Sequence, residues 1–258
     1  MDGLKRFFQN YSGTLLILAT ALILYELVTD GLGLLSRVLF PGFSKIGPRL
    51  VSSLPKLIDC FFSSMYLLIP TYIVGAVSGV LLGIIIGLRP RLHKSLKPII
   101  FGLSPLPPSM LTPYFIAVMP TFYLSSCGVI FIGVFWPILS GTINGITMIE
   151  QKYLDNAKVL GFTGWKLLFY IIIPAAAPMI FAGMGTALNF AFILLGIAEM
   201  FATTSGLGYY IQYYADFSDY ARVLAGLLFT TVVIVSIMVL FDRLKKKTLF
   251  WTINKDMG

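Results

Sequence analysis

The chain has 258 residues, 57% of them apolar and only 12% charged, with a net charge of +8. A soluble domain carries about 25% charged residues, so the composition excludes an ordinary water-soluble globule and predicts an all-α, polytopic membrane protein. Two cysteines, Cys60 and Cys127, and one histidine, His93, are too few for a disulfide framework or a zinc site, and no metal or cofactor is expected.

Six apolar stretches approach the length of about 20 residues that a helix needs to cross a hydrocarbon layer of about 30 Å. The first, about 13–29, follows Lys5 and Arg6. It lacks a small-residue cleavage site, because Tyr25, Glu26 and Leu27 stand where one is needed, and reads as a retained anchor. Between residues 30 and 64, Ile46, Leu50, Leu54, Leu57 and Ile58 recur at helical spacing among Lys45, Arg49 and Lys56. This pattern predicts a helix on the outer interface, limited in length by Pro48 and Pro55. The second span, about 65–88, carries Gly75, Gly79, Gly83 and Gly87, four apart on one face, which suits close packing of another helix.

Residues 89–98 read as a short basic loop with Arg89, Arg91, Lys94 and Lys97. The third span, about 99–118, holds Pro105, Pro107, Pro108 and Pro113, which cannot sit in a regular helix. Irregular backbone at membrane depth survives only inside protein or beside a water-filled cavity. The break is therefore either a packing kink or part of a pathway that Ser104, Pro105 and Pro107 would line. The fourth span is about 127–146, with Asn144 near its inner end. An amphipathic stretch, 147–173, separates it from the fifth, about 174–198, which holds Asn189 and is followed by Glu199. The asparagines serve either an interhelical hydrogen bond or the same pathway; Glu199 suits the pathway, an outer gate or a docking face. The sixth span is about 221–241, and Arg243, Lys245, Lys246 and Lys247 follow it.

Fourteen of the 19 lysines and arginines fall on one side of this six-span layout. By the positive-inside rule that side is cytoplasmic, with both termini on it. The basic excess thus marks the cytoplasmic side; membrane lipid is an expected partner, and no nucleic acid is expected. The layout divides into an anchor and outer segment (1–64), a core membrane domain (65–241) containing the cytoplasmic loop 147–173, and a basic tail (242–258).

The chain contains no Gly-Lys pair, so it has no phosphate-binding loop of the Gly-Lys-Ser/Thr type. The spans hold no acidic pair for a proton relay and no arginine-rich voltage sensor. An energy source outside the chain is the expectation, and residues 155–174 suggest how it connects. They read Asp155, Asn156, Ala157, three residues, Gly161, nine residues, then Ile171-Ile172-Ile173-Pro174. This resembles the signature loop of binding-protein-dependent ABC importer permeases, Glu-Ala-Ala, three residues, Gly, nine residues, Ile-x-Leu-Pro. Asp155 stands for Glu, Asn156 for Ala and Ile173 for Leu. Residues 103–113 and the Glu199-Met200…Ser205-Gly206-Leu207-Gly208-Tyr209 segment are similar to the nitrate/sulfonate/taurine branch of that family.

The resemblance implies the type I ABC importer permease fold with six transmembrane helices, in a bacterial inner membrane. It implies a separate ATPase subunit, an extracellular solute-binding protein and a second permease copy, a homodimer being the expected pairing. It also implies a coupling role for Asp155, Asn156, Ala157, Leu160, Gly161 and Pro174. Leu154, Ala157 and Leu160 are expected to face one way, with Pro174 separating the loop's second helix from the fifth span. The substrate implied is a small, polar, often anionic solute. A transporter or channel working without an ATPase is the alternative, followed by a membrane enzyme or assembly factor.

Overall fold

In the computed structural model the described residues are 13, 16, 17, 19–33, 35, 36 and 38–251. Lys5, Arg6 and the last seven residues of the tail lie outside them. All regular structure among the described residues is helical. Among the described residues, four helices are long and apolar enough to cross a membrane: Phe43–Gly87, Phe122–Thr147, Gly164–Phe201 and Tyr220–Thr248. Pro90–Leu103 with Pro108–Val118, bent by 77°, makes a fifth when the pair counts as one span. The first expected span lies partly outside the described residues; within them it is helical over 19–26 and then winds into a π-turn, Leu27–Gly31.

Two units divide the chain, one built from residues 1–58 with 210–230, the other from 59–209 with 231–258. In the first, Glu26 does more than end a span. Its Oε2 accepts the Phe43 N–H at 2.9 Å, which places a carboxylate at the start of α1 (Phe43–Gly87), where the helix dipole favours negative charge. Tyr25 adds a bond from its hydroxyl to the Pro41 carbonyl, 2.9 Å.

Helix α1 corrects the expected layout. It runs unbroken for 45 residues, so the interface helix and the second span are one element. Pro48 and Pro55 each delete one ladder bond. The carbonyls they release belong to Ser44 and Val51, which are exposed, so the helix continues through both.

In the second unit, α1 packs on α4 (Phe122–Thr147) through the glycine ladder. A Cβ on Gly75, Gly79, Gly83 or Gly87 would come within 2.7, 3.1, 2.5 and 3.0 Å of Val134, Ile138, Thr142 and Ile146. Both sets advance by four in the same order, so the two helices run parallel with their backbones at close approach. Helix α7 (Ile173–Ala202) crosses α4 the other way. Gly141 meets Gly183, Gly145 meets Ala176 and Gly133 meets Leu194, which makes this pair antiparallel. The α4–α7 contact is extensive.

Between α1 and α4 the chain forms α2 (Pro90–Leu103) and α3 (Thr112–Val118), separated by the proline break and a 3₁₀ turn, Pro108–Leu111. Residues 90–98 are therefore helical rather than a loop, with Arg89 as the extended N-cap. Pro90 starts the helix where its missing N–H costs nothing, and Leu92, Leu96 and Ile100 pack against Ile86, Leu139 and Ile143. The segment runs antiparallel along α4. Ser104 lies beside Trp136 and Ser140, Pro108 faces Gly133, and Phe115 covers Gly128.

After α4 come α5 (Gln151–Val159), α6 (Gly164–Leu167) and a π-turn, Leu168–Ile172, that leads straight into α7. Pro174 does not separate α6 from the fifth span: Gly164–Phe201 is one continuous stretch of 38 residues. The wider π-turn just before Pro174 gives its ring room against the preceding turn. Helices α8 (Leu207–Asp216) and α9 (Tyr220–Thr248) complete the chain. Cys60 and Cys127 are not joined by a disulfide.

Candidate functional site

Helix α5, the turn after it and α6 make a small knob between α4 and α7. Its turn is a Schellman motif. The Phe162 N–H reaches the Ala157 carbonyl at 3.0 Å and the Gly161 N–H reaches that of Lys158 at 2.9 Å. The motif requires a left-handed residue just past the helix, and Gly161 supplies it at φ +82°. Gly164, at φ +53°, turns the chain again into α6.

Ala157 is buried, and Leu154 packs with Ile146, Ile172, Ala176 and Ile180 at the base of the bundle. Leu160 departs from the expected shared face. It stands at the C-cap, where the backbone leaves the helix, and is 76% exposed. It joins Val159, Trp165 and Tyr170 in an exposed apolar crown. Asp155 and Asn156 are exposed beside it. Asp155 accepts hydrogen bonds from Gln151 at 2.9 Å and from Lys158 at 3.3 Å. The Gln151 bond, then the Lys158 bond, hold its carboxyl below the ordinary carboxylate value. The knob thus combines a pinned acidic edge with uncovered apolar side chains. Large exposed apolar patches of this kind mark interaction sites.

The other expected residues gather elsewhere. Ser104, Pro105 and Pro107 are exposed at the break. Ser104 borders a cavity of about 200 Å³ with Pro108, Trp136, Ser140 and Phe190. Asn144 lies one turn beyond Ser140, and Asn189 adjoins Phe190; both are exposed. Neither side chain makes an interhelical hydrogen bond among the described residues. One face of the α2–α4–α7 group therefore carries Ser104, Asn144 and Asn189 outward.

Glu199 is not on that face. It is 1% exposed and takes the Ser64 hydroxyl on Oε1 at 2.6 Å and the Gly208 N–H on Oε2 at 2.8 Å. Ser64 in turn accepts the Leu207 N–H at 2.9 Å. Gly206, at φ +117°, passes so close that a Cβ there would fall 2.3 Å from the Glu199 carboxylate. Glu199 and Ser64 thus bracket the Ser205–Gly208 turn onto the middle of α1 and the C-terminal end of α7. Ser64 was invisible in sequence, because a serine in an apolar helix has no marker until its partner is known.

Comparison with known proteins fits the arrangement. The family described as "Binding-protein-dependent transport system inner membrane component" matches residues 79–249. An aliphatic sulfonates transport permease of Bacillus subtilis is 31% identical over 84% of this chain and 80% of its own length. A nitrate import permease of Synechococcus elongatus is 34% identical over 54% of the chain and 50% of its own. The taurine transport system permease of Escherichia coli is 30% identical over 58% and 54%. The chain thus spans about half the length of these last two. The resemblance read from residues 155–174 is borne out: the chain belongs to the binding-protein-dependent transport inner-membrane components, the permease subunits of ABC transporters, whose ATPase is a separate subunit.

Proposed function

We propose that this chain forms the translocation pathway of an ATP-driven importer for a small polar anion. The observation that carries the reading is the knob: a built, glycine-turned projection with an uncovered apolar crown, continuous with a helix long enough to cross the bilayer. Asp155, Asn156, Ala157, Leu160 and Gly161 dock into the ATPase subunit, and Pro174 with the π-turn joins that dock to the bundle. An extracellular solute-binding protein delivers the cargo. Relatives are named for sulfonates, nitrate, bicarbonate and taurine, which supports a solute bearing a small oxyacid group.

Two copies enclose the pathway. The support is the exposed face with Ser104, Pro105, Pro107, Asn144 and Asn189, polar and irregular where a lone bundle in lipid is expected to be apolar. Six spans, with both termini cytoplasmic, follow from the charge bias, and the first span completes the even number. The layout retains an anchor and outer segment (1–64), a core (65–241) and a basic tail (242–258).

The deciding experiment is reconstitution. Vesicles containing the chain, its ATPase and its binding protein are expected to accumulate an alkanesulfonate or nitrate only with ATP. If the chain alone accumulates solute on an ion gradient, the reading fails.

A further inference from the structure

Helix α2 carries a charge that neither the knob nor the pathway uses. Arg89, Arg91, Lys94 and Lys97 lie in a stretch without a single acidic residue from Asp59 to Glu150. Among the described residues, none of their side chains makes an ion pair or a hydrogen bond. All four are exposed.

The helix has two distinct faces. Leu92, Leu96 and Ile100, four apart, pack against Ile86, Leu139 and Ile143. Arg91, Lys94 and Lys97, three apart, turn the other way. Phe101 follows Lys97 by one turn on that outward side and is 79% exposed. The cations also sit at a definite level. Gly87, the last residue of α1, abuts Ile146, next to last in α4, so both crossing helices end together where α2 begins. From there α2 climbs along α4 toward the proline break. The basic turns are thus at the rim of the apolar bundle, and Phe101 lies deeper.

We propose that the outward face of α2 binds anionic phospholipid headgroups, with Arg91, Lys94 and Lys97 holding phosphates and Phe101 seated among the acyl chains. A membrane-embedded family places this rim at the headgroup layer, where the long cationic side chains extend toward the phosphates. Three uncompensated positive charges are complementary to that layer. Each is worth roughly a fivefold preference for an anionic over a zwitterionic surface. An acidic protein surface would account for the cations and leave an exposed phenylalanine on the same face without a role.

The test uses the purified full chain, with phosphatidylglycerol or phosphatidylcholine of matched acyl chains as the probe and native mass spectrometry of retained lipid as the readout. Wild type is expected to retain phosphatidylglycerol more than about tenfold over phosphatidylcholine, and about 0.5 M salt should erase most of that margin. The triple variant Arg91→Gln, Lys94→Gln, Lys97→Gln should fall to within about twofold, while Lys94→Arg with Lys97→Arg should keep the wild-type ratio. Equal retention by wild type overturns the proposal. So does a triple variant that keeps its lipid preference but loses co-purification of the ATPase, which would make the face a protein dock. If the triple variant fails to insert, the wild-type ratio and its salt dependence decide alone. Reconstituted uptake is measured separately, so failure of the importer reading and failure of the lipid site are distinguishable.

Discussion

Single residues set the sharpest expectations. Gly161 sits at φ +82° with nothing near a would-be Cβ, so a substitution there acts through the backbone alone. Gly161→Val should cost about 1–2 kcal/mol locally, leave membrane insertion intact, and uncouple ATP hydrolysis from uptake. Uptake and hydrolysis measured on the same vesicles check this; unchanged coupling counts against the knob. Glu199→Ala strands the Gly208 N–H and the Ser64 hydroxyl in a buried site, each worth about 1–3 kcal/mol when left unpaired. A lower unfolding temperature in detergent is expected, with faster proteolysis at Ser205–Gly208. Asp155 supplies a pH test. Its carboxyl is held below the ordinary value, so its contribution is complete above the unfolded value of about 3.9 and disappears as pH falls through the folded one. ATPase binding should therefore be level across roughly pH 5–8 as far as Asp155 is concerned. Asp155→Asn should leave that profile flat; a midpoint near neutrality that vanishes in the variant would contradict the assignment.

At the scale of elements, the glycine ladder is a seam of close approach. Gly83→Leu drives a side chain into Thr142, 2.5 Å from the would-be Cβ, and should destabilise the bundle by about 1–3 kcal/mol. Gly102→Leu, where a Cβ meets nothing, is the matched control and should be near neutral in a thermal shift. The ladder and the Gly161 turn were legible in sequence because each leaves a mark only glycine can make, a period of four or a left-handed turn. Other elements were not legible, for identifiable reasons. Pro48 and Pro55 suggested an end to a helix, yet a proline's effect depends on the surroundings of the carbonyl it frees, and here both carbonyls belong to exposed residues. The charges of residues 89–98 obscured the period of Leu92, Leu96 and Ile100. Leu160 was read from helical spacing at a position where the helix had already stopped. Sequence leaves Glu199 open among the pathway, an outer gate and a docking face, and its bond to Ser64 was not legible because that partner lies 135 residues away.

For the whole molecule, direction is the main result. In the second unit α1 and α4 run parallel, while the α2–α3 segment and α7 run against them, which is the alternation of successive crossings. This sense places the basic rim of α2 and the knob at one end of the bundle and the Ser205–Gly208 turn at the other. Single cysteines in residues 89–98 and 200–215 should label from opposite sides of intact cells; labelling from one side would overturn the arrangement.

The unbroken passage from α6 through α7 has a mechanical meaning. Its 38 residues make a strut about 57 Å long, with its foot at Trp165 in the knob and the bracketed turn near Glu199 at the opposite end. Under the proposed docking, a displacement of the foot travels to the far end through one continuous helical stretch, in which the π-turn and Pro178 are the irregular points. The wider π-turn at Leu168–Ile172 is where the foot can swivel as the strut advances.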